Sequence, residues 1–222
     1  MKILSISTSS NIASVSISEN DDCILELNIN NNKTHSETLM PLIENIFNKT
    51  NLKLSDINAI ACDVGPGSFT GIRIGISSVK AMAESLNIPV IDVSSLEALA
   101  YNIENINCKT ICSLIDARNN QVYCGIFDKN YNLLEDYLAD DINIIIETLK
   151  NYNNISFVGD GAIIHKDLLG IEDFKYDNVI HSKSIAICAY NKYINNNVKT
   201  ADTISPLYLR KSQAERMKQK NG

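Results

Sequence analysis

The run Ile57-Asn58-Ala59-Ile60-Ala61-Cys62-Asp63-Val64 leads directly into Gly65-Pro66-Gly67-Ser68-Phe69-Thr70-Gly71-Ile72-Arg73-Ile74-Gly75. An apolar stretch of strand length, a glycine-rich turn and a helix-spaced apolar stretch together predict strand, turn, helix. Such a junction points unpaired backbone N–H groups and the positive end of a helix dipole outward. It serves either to hold an anion or to let backbone pack where a side chain would not fit. It is not a P-loop, because no Lys-Ser/Thr pair follows at the required spacing, and Thr70 stands where GxGxxG needs its third glycine. The packing use is favoured, with anion binding left open at Ser68 and Thr70. Arg73 falls in the first turn of the expected helix, where the dipole disfavours a cation. It therefore calls for an acidic or phosphate partner, or forms a plain surface ion pair.

Around this junction the chain reads as a repeated order of elements. Lys2 to Ser18 alternates apolar and alcohol residues and predicts two strands joined at Ser9-Ser10-Asn11. A third strand follows at Cys23 to Ile29, then a helix from about Ser36, as N-cap, to Asn48. A helix over Gly71 to Leu86, a strand at Val90 to Val93 and a short helix capped by Ser94-Ser95 complete the first half. The pattern restarts near Lys109. Strands are expected at Thr110 to Asp116 and Gln121 to Phe127, then a short strand beyond the Asp128-Lys129-Asn130 turn. A helix over Ile142 to Leu149 and a strand at Ile155 to Val158 lead into a second glycine turn at Gly159-Asp160-Gly161. A duplicated unit of this kind predicts two α/β lobes facing a cleft, 1–105 and 106–222. The layout resembles the actin, Hsp70 and sugar-kinase (ASKHA) superfamily, with its ribonuclease H-like lobes.

Composition narrows the function. A net charge of −6 argues against a free-standing nucleic-acid binder, and the locally basic stretch from Arg210 to Lys220 reads as a solvated helix end. No run approaches a membrane span and no secretory leader is expected ahead of the first strand, so the expected location is cytoplasmic. The six cysteines are scattered through mostly apolar segments and read as buried thiols. His35 reads as a loop or capping histidine, because no second ligand follows at helical spacing. Asp116 and Asp160 both follow strands at turns, and turn chemistry explains them before an acid pair across a cleft does.

The helices carry the stronger functional signal. On the helix over 71–86, Ile72, Ile76, Val79, Ala83 and Leu86 form one stripe, while Ile74, Ser78, Ala81 and Ser85 form a second. On the helix over 36–48, Leu39, Met40, Leu42, Ile43, Ile46 and Phe47 cover nearly half the circumference. Two helices with surplus apolar or small-residue surface predict an interface unless both lie inside a sandwich core.

Five stretches then resemble one family, in order along the chain. They are Ile3 to Ser9; His35-Ser36-Glu37 with Leu39 and Pro41; Gly65 to Gly75; Asp116-Ala117-Arg118 with Val122-Tyr123; and Pro206-Leu207-Tyr208-Leu209-Arg210-Lys211-Ser212-Gln213-Ala214-Glu215. The chain is similar to the TsaB (YeaZ) family of bacterial tRNA threonylcarbamoyladenosine synthesis. The resemblance implies a scaffold without catalytic residues or metal ligands. The catalytic TsaD family carries a metal-binding histidine pair on its corresponding helix, and here the position four residues after His35 is Leu39. The family usually has Asp where Ser7 stands, which weakens any metal-nucleotide site on the first strand. The implied partners are TsaD, the ATPase TsaE and, through the complex, tRNA. The complex moves threonylcarbamoyl from its adenylate to the adenosine 3′ of the anticodon.

The implied interface uses Leu39, Met40, Ile43, Phe47, Ile74, Ser78, Ala81 and Ser85. A chain without its partner would pair with its own copy. No cofactor is intrinsic. A nucleotide, ATP or ADP, would sit at the shared interface, with Ser68, Thr70 and Arg73 as its candidate contacts. Two alternatives remain on the same fold: an ATP-dependent small-molecule kinase or hydrolase, which needs an acid at position 7, and a metallopeptidase, which needs the missing ligands.

Overall fold

Alternation of Leu4 and Ile6 with Ser5 and Ser7, and of Val15 and Ile17 with Ser14, Ser16 and Ser18, gives the first hairpin two different faces. In a computed structural model, which describes residues 1–31, 33–103 and 108–210, both faces are buried. The hairpin is β1 (Lys2–Ser7) and β2 (Ala13–Glu19), extended by β3 (Asp22–Ile29), β4 (Ala59–Asp63) and β5 (Val90–Val93) in the order β3-β2-β1-β4-β5. β1, β2 and β3 pair antiparallel, while β4 joins β1 and β5 joins β4 in parallel. Crossovers run through α1 (His35–Thr50) and α2 (Phe69–Leu86), and α3 (Ser95–Ala100) follows β5.

The second half repeats this with β6 (Thr110–Asp116), β7 (Gln121–Asp128), β8 (Leu138–Asp141), α4 (Ile142–Leu149) and β9 (Ile155–Val158). The strand order β8-β7-β6-β9 matches β3-β2-β1-β4 and stops one strand short. Short helices α5 (Asp160–Ile164) and α6 (Lys166–Leu169) follow, then α7 (Ser182–Ile194). The duplicated α/β architecture expected from the element order is therefore present.

Five layers result. The Leu4, Ile6, Val15 and Ile17 face of the first sheet packs on α1 and α2. The opposite face packs on α7, α7 packs on α3, and α3 meets the second sheet, where Ile111, Ile115 and Phe127 face the same core. The outer face of that second sheet, with Cys112, Leu114, Val122 and Cys124, packs on α4 and α5. Five cysteines are buried free thiols, as the composition suggested, but Cys23 on β3 is exposed.

α7 has no counterpart in the sequence reading, because it lies between the first sheet and α3 and shows no single apolar stripe. Its buried residues are Ser182, Ser184, Ile185, Ala186, Cys188 and Ala189. The alcohol face of β1 and β2 lies against this helix, and Ser14 Oγ donates to Ser182 Oγ at 2.8 Å. Small residues on both elements let helix and sheet approach closely.

α7 returns to the first sheet, Val90 bridges Lys199 and Leu207 N–H donates to the Val64 carbonyl at 2.8 Å. The 182–207 stretch thus completes the first lobe, although it belongs to the second half of the sequence. The expected boundary at 105/106, and the basic stretch beyond Arg210, lie outside the described residues. No helix among the described residues is long and apolar enough to cross a membrane.

Candidate functional site

The glycine turn is a close-packing device. Gly67, Gly71 and Gly75 recur every four residues and so share one face of the chain as it enters α2. A Cβ on Gly67 would fall on the Ser9 carbonyl oxygen and one on Gly71 on the Thr8 carbonyl oxygen, while one on Gly75 would come 2.5 Å from Thr8 Oγ1. Ser68 N–H donates to the Ser9 carbonyl at 2.7 Å, and Thr8 Oγ1 donates to the Gly71 carbonyl at 2.8 Å. α2 therefore rests directly on the β1–β2 turn.

The helix starts at Phe69, two residues earlier than expected, because Ser68 is the N-cap and its Oγ accepts from Gly71 N–H at 3.2 Å. Arg73 is then the fifth helical residue, beyond the first turn, and the expected conflict with the dipole is relieved. Its Nε donates to Tyr208 Oη at 2.7 Å, and its guanidinium lies 5.7 Å from the Tyr208 ring centroid. Tyr208 in turn stacks on Phe69 at 4.9 Å. Ser68, Thr70 and Arg73 are all exposed at this corner.

The first strand ends beside a single buried acid that sequence reasoning passed over. Asp63, 1% exposed, terminates β4 beside the end of β1. Its Oδ2 accepts from Ser7 Oγ at 2.8 Å and from Ser9 Oγ; its Oδ1 accepts from Ser95 Oγ at 2.6 Å and from Gly65 N–H at 2.9 Å. Burial pushes the carboxyl pKa up, and the four donors oppose that rise. All four donors come from this chain, so the carboxylate is satisfied internally. A carboxylate at position 7 would face Asp63 at hydrogen-bond distance and repel it. The available signal was an Asp at a strand end opposite an alcohol-rich strand.

α1 and α2 lie side by side, and between them runs an open groove of about 460 Å³. Met40, Arg73, Ile74, Ser77 and Ser78 line it, with His35 and Thr70 at one end. Met40, 52% exposed, brings apolar surface to this groove. Leu39, Met40, Ile74 and Ser78 of the expected interface set line this groove, and the others do not. Leu39 lines the groove yet is buried in this chain's own core, Ile43 is buried in that core and outside the lining, and Phe47 is half-buried against it. A helix lying on a sheet spends the centre of its apolar arc on that sheet and leaves only the flank. Ala81 and Ser85 are exposed but lie beyond the groove lining, whereas Ser77, absent from the expected set, belongs to it. On α2 the core stripe Ile72, Ile76, Val79 and Ala83 is buried as read.

His35 opens α1, and the N-cap is Thr34 rather than Ser36, with Thr34 N–H donating to Glu37 Oε2 at 3.0 Å. His35 Nε2 donates to the Ser10 carbonyl at 2.8 Å, and one turn on Leu39 points into the core. The ring is thereby committed to the β1–β2 turn. Asp116 and Asp160 do meet: Asp160 Oδ1 accepts from Asp116 N–H at 3.0 Å, while Asp116 Oδ1 accepts from Arg118 N–H at 2.9 Å. Both carboxylates thus serve turn backbone.

Residues 28–218 match the family model described as TsaD, tRNA N6-adenosine threonylcarbamoyltransferase. The chain is 33% identical to the tRNA threonylcarbamoyladenosine biosynthesis protein TsaB of Bacillus subtilis, over 97% of this chain and 96% of that protein. Among solved structures it superimposes on YeaZ from Pseudomonas aeruginosa with a TM-score of 0.77 at 22% identity, covering 94% of this chain and 99% of the other. The activator of 2-hydroxyisocaproyl-CoA dehydratase from Clostridium difficile, solved with bound ADPNP, shares the fold at a TM-score of 0.52 and 12% identity, covering 94% of this chain and all of that one. Full-length identity to TsaB, rather than the broader TsaD-type match, decides the assignment: this chain belongs to the TsaB (YeaZ) family.

Proposed function

We propose that this chain is a non-catalytic partner subunit in bacterial tRNA threonylcarbamoyladenosine synthesis. It holds a TsaD-type subunit in its active arrangement, together with the ATPase TsaE, and meets tRNA only through that complex, in the cytoplasm. The observation that carries the reading is the α1–α2 groove, where half-exposed Met40 and half-buried Ile74 offer apolar surface with small hydroxyl residues beside it. The match to a TsaD-type model supports the choice of partner. Two proteins built on one frame present equivalent helix pairs, and these pack as four helices around a pseudo-two-fold axis. Without that partner the same face pairs with a second copy.

Asp63 supports the non-catalytic part of the reading, because its oxygens are taken by Ser7, Ser9, Ser95 and Gly65 N–H. A nucleotide, ATP or ADP, would sit at the shared interface by Ser68 and Thr70. The Ser68 hydroxyl accepts from Gly71 N–H and keeps its own proton to donate.

The test is light scattering of the chain mixed with the TsaD-type subunit of the same organism. A stable heterodimer is expected, and Met40→Glu is expected to weaken it. Failure to associate at micromolar concentration, or ATP turnover by the isolated chain, would count decisively against the proposal.

A further inference from the structure

We infer that Arg73 selects the occupant of the α1–α2 groove, and that this occupant presents a carboxylate to it. The inference rests on the partner reading above and adds the chemistry by which the partner is recognised. Among the described residues lining the groove, Arg73 is the one permanently charged side chain. Its pose is set from behind: Nε donates to Tyr208 Oη at 2.7 Å, and the guanidinium lies over a tyrosine ring that is itself stacked on Phe69. The two Nη groups are left without an acid, because no ion pair among the described residues involves Arg73. A guanidinium held in place with its fork unused is prepared for bidentate contact with a planar anion, and little further ordering is needed when one arrives.

Apart from His35, the rest of the described lining is apolar or hydroxyl-bearing, and it contains no acid that would repel such a group. The same charge acts against self-association. In a two-fold pair built on this groove both copies bring an Arg73 to the shared contact face, and like charges at an interface disfavour the pairing. An acid-bearing partner helix therefore displaces a second copy of this chain.

The experiment titrates the TsaD-type subunit of the same organism with the full chain and with Arg73→Glu, Arg73→Lys and Met40→Glu. Each variant is first checked for a near-native melting temperature. Without nucleotide, Arg73→Glu is expected to weaken binding at least tenfold, with Arg73→Lys intermediate. The unaltered chain should lose affinity between about 50 and about 500 mM salt, and Arg73→Glu should not. If Met40→Glu breaks the complex while Arg73→Glu leaves affinity and salt dependence unchanged, the carboxylate is refuted and the partner reading survives. If neither variant changes binding, both fall. If Arg73→Glu matters only when ATP is added, the arginine serves a phosphate, and the assignment to a partner carboxylate is overturned.

Discussion

Replacing Asp63 by alanine tests how the core of the first lobe is held together. The carboxylate is buried, and three hydroxyls with one backbone N–H converge on it from β1, the β1–β2 turn, the glycine turn and α3. Without its oxygens those donors lose their acceptor. Ser7 and Ser9 lie with their Oγ atoms 3.4 Å apart and can turn to each other, but Ser95 Oγ and Gly65 N–H have no such neighbour. A buried donor left unmet costs ~1–3 kcal/mol, so two of them cost roughly 2–6 kcal/mol, less the desolvation of the carboxylate that the mutation removes. A net loss of ~3 kcal/mol corresponds to a melting temperature lower by roughly 6–12 °C for a chain of this size.

Asp63→Asn keeps one acceptor oxygen for Ser95 and Gly65, and it should cost only ~1 kcal/mol. Thermal and urea unfolding followed by circular dichroism reads both. An Asp63→Ala chain within ~0.5 kcal/mol of the original would refute the view that this acid organises the junction, since surface substitutions alone move stability that little.

Further outcomes follow from the same structure. Gly71→Ala puts a Cβ on the Thr8 carbonyl, a backbone atom that cannot swing away, and should destabilise by ~1–3 kcal/mol or more in urea unfolding. Gly170→Ala meets nothing within 4 Å and should cost only about 1 kcal/mol, for its left-handed backbone. Ile74→Arg, at a half-buried site on the groove wall, should leave melting nearly unchanged yet abolish heterodimer in sedimentation, because a charge buried in the complex without a partner costs ~3–5 kcal/mol.

The pH profile should show the latch between β3 and α7. Burial pushes Glu26 up, but His181, Lys183 N–H and Asn28 outweigh it and hold the carboxyl at about 2, while Glu26 and then Asp177 raise His181 above 6.5. The Glu26 contribution is complete above pH 4.5 and is lost as pH falls toward 2; that of His181 is complete below 6.5 and is lost as pH rises through its elevated value. Stability from this latch should therefore peak between pH 4.5 and 6.5, and His181→Asn should flatten the alkaline side in melts taken across pH.

The local pattern determined most of the elements. Hydrophobic alternation marked β1 and β2, the Gly65 to Gly75 run marked the turn into α2, and the order of elements marked the duplication, because each depends on residues near one another in sequence. The glycines at 67, 71 and 75 were legible as a turn, but the Thr8 and Ser9 carbonyls that require them came only from the folded chain. α7 escaped because a helix held between a sheet and another helix shows no single apolar face. The groove escaped in part because a sequence shows that a helix is apolar over half its circumference, not which part of that arc the sheet beneath it will cover. Packing alone placed Leu39 and Ile43 in the core and left Met40 outside. It also brought Ser7, Ser9 and Ser95 to Asp63 and Tyr208 to Arg73, contacts that span 32 to 135 residues of chain and that no local rule encodes.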